Sequence, residues 1–152
     1  MKNILNGKDK SSLIGRIKAI SGDERAVWGK MNVEEMVCHI TDQLRMAIKE
    51  IKTDYIGNKL METVLRKLVL MGMPFPKGKI ETVKELKQGV GGTAPTILKN
   101  DIETLINYIN KFDNRFKQNE STRHPAFGYM NIKEWGRLAY IHIDYHLRQF
   151  GC

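Results

Sequence analysis

Cysteine and proline are scarce in this chain, and long apolar runs are absent. The two cysteines, Cys38 and Cys152, are too few for a disulfide framework and form no Cys-x-x-Cys pair. Four prolines and the lack of low-complexity tracts argue against extensive disorder. No apolar run approaches the roughly 18–20 residues that span a bilayer, and residues 1–10 lack the apolar core of a signal peptide. We therefore expect a cytoplasmic protein with one domain over residues 1–152.

Positive charge is in excess, with a formal net charge of +8. Such an excess suggests nucleic acid or an anionic ligand as a partner. The basic residues are interleaved with acids, however, as in residues 84–87 and 133–137. No basic arm, zinc finger or RNA-binding sheet signature is present. A solvated positive surface is the simpler interpretation. We therefore expect the partner to be a small-molecule substrate, and we expect neither specific nucleic-acid binding nor membrane binding. Whether the chain forms a homodimer stays open.

Apolar spacing predicts five helices and no convincing strand. They are expected over residues 10–20, 33–51, 58–71, 97–112 and 132–149, the third ended by the proline-containing segment 73–76 and followed by a glycine-containing loop over 77–96. Asn32 with Glu35, and Asn131 with Glu134, form the capping pattern that opens a helix. The predicted fold class is all-α: a four-helix bundle with one additional helix between the second and third main helices.

Two histidines stand one turn apart on the last predicted helix. His142 and His146 share one face, so both imidazoles can reach a single ion. At about 100° per residue, they lie about 170° from a charged stripe that should face water. That stripe consists of Lys133, Arg137, Asp144 and Arg148. The pair should therefore point into the bundle, either around a metal or as two core histidines with separate hydrogen-bond partners.

His39 is the candidate third ligand, from the second predicted helix. It lies about 135° from the centre of that helix's apolar stripe, on a flank shared with Gln43 and Glu50. Three imidazoles would leave one coordination position for water, the pattern of a catalytic zinc-type site. The alternative is a flank histidine without a ligand role. Cys38 points about 100° away from His39 and is expected to be a free, inert thiol.

Several polar residues are candidates for supporting roles. Gln43 and Gln149 are placed to orient the site, and Asp42 or Glu50 to accept an imidazole N–H. His124 precedes a proline and should lie on a loop, as a substrate contact, a fourth ligand or the anchor of a turn. The sequence identifies no general base.

Four segments of the chain form a recognisable combination of motifs: Trp28-Gly29-Lys30-Met31 with Glu35-Met36 and His39, then His124-Pro125-Ala126-Phe127-Gly128, then Glu134-Trp135-Gly136, and finally the stretch from His142 to Gly151. Together they resemble an uncharacterised, domain-of-unknown-function branch of the DinB/YfiT-like superfamily. The similarity spans most of the chain after Trp28, and its closing segment is the most specific part. One departure is Tyr145, which stands where many members have a histidine beside the second ligand of the last helix.

The resemblance implies a bundle of four main helices with a divalent ion, often nickel or zinc, held by three histidines. By position these are His39, His142 and His146. It further implies a metal-dependent enzyme, most often a thiol-dependent transferase that uses a low-molecular-weight thiol, with hydrolysis as the second reaction. The alternative is a non-enzymatic metal-binding or stress-related bundle. Nucleic-acid binding driven by net charge is the third hypothesis.

Overall fold

A computed structural model describes residues 1–74, 82–116 and 120–152. Within these ranges the helices are α1 (Gly7–Lys18), α2 (Val33–Ala47), α3 (Arg66–Met71), α4 (Leu98–Asn110) and α5 (Ile132–Gln149). A π-helical turn, Met61–Leu65, leads into α3, and short 3₁₀ turns cover Lys84–Leu86 and Asp113–Arg115. Two strands, β1 (Ser121–His124) and β2 (Gly128–Asn131), precede α5.

The two predicted capping boxes are present. The side chain of Asn32 accepts from the Glu35 N–H at 2.8 Å, and the Glu35 carboxylate accepts from the Asn32 N–H at 2.9 Å. The same reciprocal pair joins Asn131 and Glu134 at the start of α5. Because each box satisfies backbone donors that a helix leaves open, α2 and α5 begin where the sequence predicts.

The start of α1 and the end of α2 differ from the prediction. Asn6 caps α1, which starts at Gly7 rather than Lys10. Lys49 has a φ of 67°, a left-handed conformation that stops α2 before the predicted residue 51. Helix α3 ends at Met71, as predicted, where Gly72 has a φ of 100°. The predicted stop at 73–76 and loop at 77–96 fall partly on residues outside those described.

Four helices enclose the core. α1 and α2 each pack against both α4 and α5, while α3 packs on the outer side of α5. The buried apolar side chains of these elements form one contiguous cluster, which includes Ile40, Leu105 and Trp135. The arrangement agrees with the all-α class and places the extra helical segment between the second and third main helices. Among the described residues, no helix combines the length and apolarity needed to cross a membrane.

A β-hairpin corrects the prediction that no strand is present. Ser121 pairs with Asn131 and His124 with Gly128 in antiparallel register, around a turn at residues 125–127. Four-residue strands are too short to reveal a period-two pattern in the sequence. The hydroxyl of Thr122 donates to the Ala47 carbonyl at 2.6 Å, and the Trp135 indole N–H donates to the Thr122 carbonyl at 3.3 Å. The hairpin therefore ties the end of α2 to the start of α5.

Candidate metal centre

The three candidate histidines meet at one point. Nε2 of His142 lies 3.2 Å from Nε2 of His39 and 3.2 Å from Nε2 of His146. The three possible ligand atoms all lie within 4.8 Å of one another. Metal–nitrogen bonds of about 2.0–2.1 Å at tetrahedral angles place neighbouring nitrogens about 3.4 Å apart. The two distances to His142 are therefore close to the spacing that a divalent ion needs, and the third lies within the 4.8 Å bound.

α5 positions two of these imidazoles and α2 the third. His146 is buried and His142 partly buried, with the charged stripe of α5 on the opposite side, as predicted. His39 is only 5% exposed, although the helical count places it on a flank. α4, α5, β1 and the Lys84–Leu86 turn all contact α2, so even its flank is covered.

Hydrogen bonds at Nδ1 determine the tautomers of two rings. His146 Nδ1 lies 2.8 Å from Oε1 of Gln149, and His39 Nδ1 lies 3.3 Å from the Leu86 carbonyl oxygen. The Gln149 amide nitrogen donates to the Trp28 carbonyl at 2.6 Å, which fixes the amide orientation. Both partners of the imidazoles are therefore acceptors, so each Nδ1 carries the proton. The lone pairs of both Nε2 atoms point at His142.

His142 alone cannot supply the hydrogen bonds that the Nε2 atoms of both His39 and His146 would need. Its Nε2 can donate at most one proton, yet it faces two unprotonated Nε2 atoms at equal distance. Its Nδ1 is buried without a hydrogen-bond partner among the described residues. A cation at the centre would accept all three Nε2 lone pairs together. The chemistry of the donor set thus fits a metal ion better than it fits three uncharged rings alone.

Burial holds these imidazoles neutral, which is the form that binds metals. Burial lowers the pKa of His39, and it lowers the pKa of His142 well below the usual value with help from the neighbouring His146. For His146, burial and then the nearby His39 lower the pKa to about 3. Near neutral pH the cluster therefore offers three uncharged nitrogen donors.

The expected acidic partners of the imidazoles lie elsewhere. The Asp42 carboxylate accepts from the backbone N–H and hydroxyl of Thr93 at 2.7 and 2.6 Å, and it pairs with Arg45. Glu50 accepts from the Tyr108 hydroxyl and pairs with Arg115. The prediction that either accepts an imidazole N–H was wrong. A backbone carbonyl, that of Leu86, takes this role for His39, and sequence patterns carry no signal for it.

The other two predicted supporting residues differ in outcome. Gln149 contacts a candidate ligand directly, as described above. Gln43 is buried on α2, but its Oε1 has no hydrogen-bond partner within the described part of the chain. No hydrogen bond joins Gln43 to an imidazole there, so the structure assigns it no orienting role.

His124 anchors a turn. Its Nδ1 accepts from the backbone N–H groups of Ala126 and Phe127, both at 3.1 Å, and its ring stacks on that of Phe127. Burial lowers its pKa to about 3. It is not part of the three-imidazole cluster. Of the three roles considered from sequence, the structural one is the role its contacts show.

A cavity of about 560 Å³ reaches all three histidines. Trp28, Glu35 and Tyr145 also line it. The indole N–H of Trp28 donates to the Tyr145 hydroxyl at 3.0 Å, so these two side chains form one wall. Tyr145, the departure from the superfamily pattern, thus faces the cavity without belonging to the cluster. The sequence marked Glu35 as a helix cap and as part of the motif before His39, and nothing in its spacing indicated the cavity.

Cys38 adjoins His39 in sequence but not in the cluster. It is a buried free cysteine, and burial, followed by the charges of Asp101 and Asp42, raises the pKa of its thiol to about 12. A thiol in this state is a poor nucleophile and a poor ligand. This agrees with the expected inert thiol.

No family model matches this chain, and no curated protein or solved structure shows significant similarity to it. The DinB/YfiT-like resemblance therefore depends on the quoted motifs alone, and the ligand roles depend on the geometry of the three imidazoles.

Proposed function

We propose that this chain is a DinB/YfiT-like metalloenzyme that holds one divalent ion, nickel or zinc, with His39, His142 and His146. The single observation that carries the proposal is the convergence of three Nε2 atoms, two of them unprotonated, at the spacing of a metal's ligands. Neutral imidazole suits both metals, so the donor set does not choose between them.

Access to the cluster supports a catalytic site over a closed structural one. The cavity of about 560 Å³ opens onto the three histidines, and its volume falls in the range of small-molecule sites. When bound, a divalent ion with three neutral ligands would lower the pKa of a coordinated thiol or water and polarise an electrophile. A sealed cluster would offer neither function.

The chain's own residues would orient the reaction. Gln149 and the Leu86 carbonyl hold the rings of His146 and His39 with Nε2 directed inward. Trp28 and Tyr145 form the wall against which a substrate would lie. Glu35 supplies a carboxylate in the cavity lining, and we propose it as the residue that accepts a proton from the nucleophile.

We propose thiol-dependent transfer to an electrophile as the first activity and hydrolysis as the second. Untagged protein, reconstituted with nickel or zinc, would be assayed with a low-molecular-weight thiol and an alkylating electrophile, and in parallel with ester substrates. We expect about one ion per chain by elemental analysis and turnover that needs the ion.

A matched pair of variants separates the ligands from other buried histidines. His142→Ala should lose both the ion and the activity, whereas His124→Asn should keep the ion. Turnover that persists without metal would refute the enzymatic proposal. Stoichiometric metal without turnover on any of these substrates would favour the non-enzymatic metal-binding bundle.

A further inference from the structure

A second cavity, of about 420 Å³, shares Trp28 and Tyr145 with the metal cavity. The chain's N-terminus, the end of α3 and one face of α5 line the rest of it. Its size is within the range of small-molecule binding sites. Apart from the shared Trp28 and Tyr145, the proposed metal chemistry uses none of the described residues that line this cavity.

Positive charge dominates its lining. Lys2, Arg137 and Arg148 contribute three cations, while Asp144 is the one carboxylate among the described lining residues. That carboxylate already contacts two guanidinium groups, those of Arg16 at 2.6 Å and of Arg148. The cavity therefore keeps a surplus of positive charge that its own side chains do not neutralise.

Arg137 presents its guanidinium in a fixed position. Nε donates to the Leu70 carbonyl and Nη1 to the Lys2 carbonyl, both at 2.9 Å. These contacts leave Nη2 without an acceptor among the residues that the structure describes. A Cβ at position 72 would lie 3.1 Å from Nη2, so Gly72 keeps the approach to this nitrogen open. A rigid guanidinium with unused donors is suited to a carboxylate or phosphate oxygen.

Aromatic side chains line the same cavity beside the cationic ones. Trp28, Tyr140 and Tyr145 all border the cavity, and the Lys2 ammonium lies 5.6 Å from the centre of the Tyr140 ring. Such surfaces stack against planar or apolar groups. Cationic and aromatic walls together match a ligand with an anionic end and an apolar body.

We propose that this cavity is a binding site for a small organic anion, in which Arg137 and Lys2 bind a carboxylate or phosphate group while the Trp28–Tyr145 pair contacts the apolar body. The site is separate from the three histidines and does not need the metal.

Titrations with benzoate and phenylphosphonate test the proposal, with benzamide as the neutral analogue and inorganic phosphate as the anion without a ring. Trp28 borders the cavity and Trp135 is fully buried, so tryptophan fluorescence reports binding, and calorimetry confirms it. We expect saturable binding of the two aromatic anions, at least about tenfold weaker binding of benzamide and phosphate, and loss of affinity with added salt.

Variants locate the site. Arg137→Gln and Lys2→Gln should each weaken benzoate binding about tenfold or more, whereas Lys133→Gln, an exposed lysine of α5 outside the cavity, should not. Lys2→Gln removes no side-chain hydrogen bond of the fold, so it remains informative if Arg137→Gln unfolds.

The metal-free protein and His142→Ala separate this proposal from the metal proposal. Anion binding should persist in both. Equal affinity for benzoate and benzamide, no saturable response to either anion, or unchanged affinity in Lys2→Gln would each overturn the assignment. Binding that disappears with the metal would place the anion on the ion instead.

Discussion

The side-chain nitrogen of Gln149 donates to the backbone carbonyl of Trp28 at 2.6 Å, although 121 positions separate the two residues. The oxygen of the same amide contacts Nδ1 of His146. One amide thus connects a candidate metal ligand to the wall of the cavity. Gly29 makes this contact possible, because a Cβ there would collide with the amide nitrogen, and its φ of 85° favours glycine.

Removal of this amide should weaken metal binding while the fold persists. Gln149→Leu leaves His146 Nδ1 without its acceptor, so we expect metal affinity to fall about 10–100-fold. Gln149→Glu keeps an acceptor for the imidazole but loses the donor to Trp28. It should retain more of the affinity than Gln149→Leu and still change the fluorescence of Trp28. Competition with a chromophoric chelator measures the affinities, and equal affinity in the leucine variant and the unmodified protein would remove Gln149 from the site.

Glu35→Gln tests the proposed proton acceptor. Glutamine can preserve the capping box at this position, so helix α2 should form normally. Loss of the carboxylate should lower turnover about 10²–10⁴-fold with metal content and thermal midpoint unchanged. Exposed Glu34→Gln, the adjacent position, is the matched control. A turnover drop in both variants, or in neither, would contradict the assignment.

Asp42 should contribute to stability rather than to chemistry. It is fully buried, and its carboxylate accepts from the backbone N–H and the hydroxyl of Thr93. Thr93 follows Leu86, whose carbonyl contacts His39, in the same connecting segment. Asp42→Ala removes the acceptor of partly buried donors on Thr93 and Arg45, and we expect a loss of about 2 kcal/mol in the free energy of unfolding. Thr93→Val removes the hydroxyl, which donates to Asp42 and accepts from Arg45, but keeps the backbone contact, and should cost about 1 kcal/mol. Urea unfolding gives both values, and similar losses in the two variants would show that the backbone contact contributes little.

Stability of the metal-free protein should fall with acid below about pH 6.5. The pKa of His124 is about 3 in the folded state, against a usual value of 6.5. Between these pH values the unfolded chain binds a proton on His124 that the folded chain does not, so lowering the pH favours unfolding. Above about pH 6.5 neither state binds this proton, and the contribution of neutral His124 to the free energy of unfolding is complete. His124→Asn can still accept the two turn N–H groups through its side-chain oxygen. Urea titrations from pH 4 to 8 should show a dependence smaller by about one proton in this variant.

Local signals in the sequence predicted much of the fold. α5 has the bounds that its capping box and apolar spacing indicate, and the direction of His142 and His146 follows from the helical count. The meeting of His39 with this pair could not be derived in the same way, because it depends on how α2 and α5 pack. The Leu86 carbonyl and the hairpin around His124 were missed because a backbone acceptor has no residue type and four-residue strands have little periodicity.

Apolar residues before and within α3 show a further effect of packing on prediction. Leu60, Val64 and Leu68 follow the helical spacing that predicts a helix over residues 58–71, yet they are 65%, 50% and 40% exposed, while Val69 is buried. Helix α3 packs mainly on α5, so it has one covered side. A stripe inferred from spacing does not reveal whether a neighbour covers it.

His39 and His142 are 103 positions apart, and an ion between them would join the early and late parts of the chain. The unfolded polypeptide lacks this preformed three-histidine site, so binding of the ion to the folded chain favours the native state by mass action. Above saturation, each tenfold rise in free ion adds about 1.4 kcal/mol of resistance to unfolding. Degradation by proteases that attack the opened chain would then slow as the ion becomes abundant, and the amount of this protein would follow metal supply without any change in its synthesis.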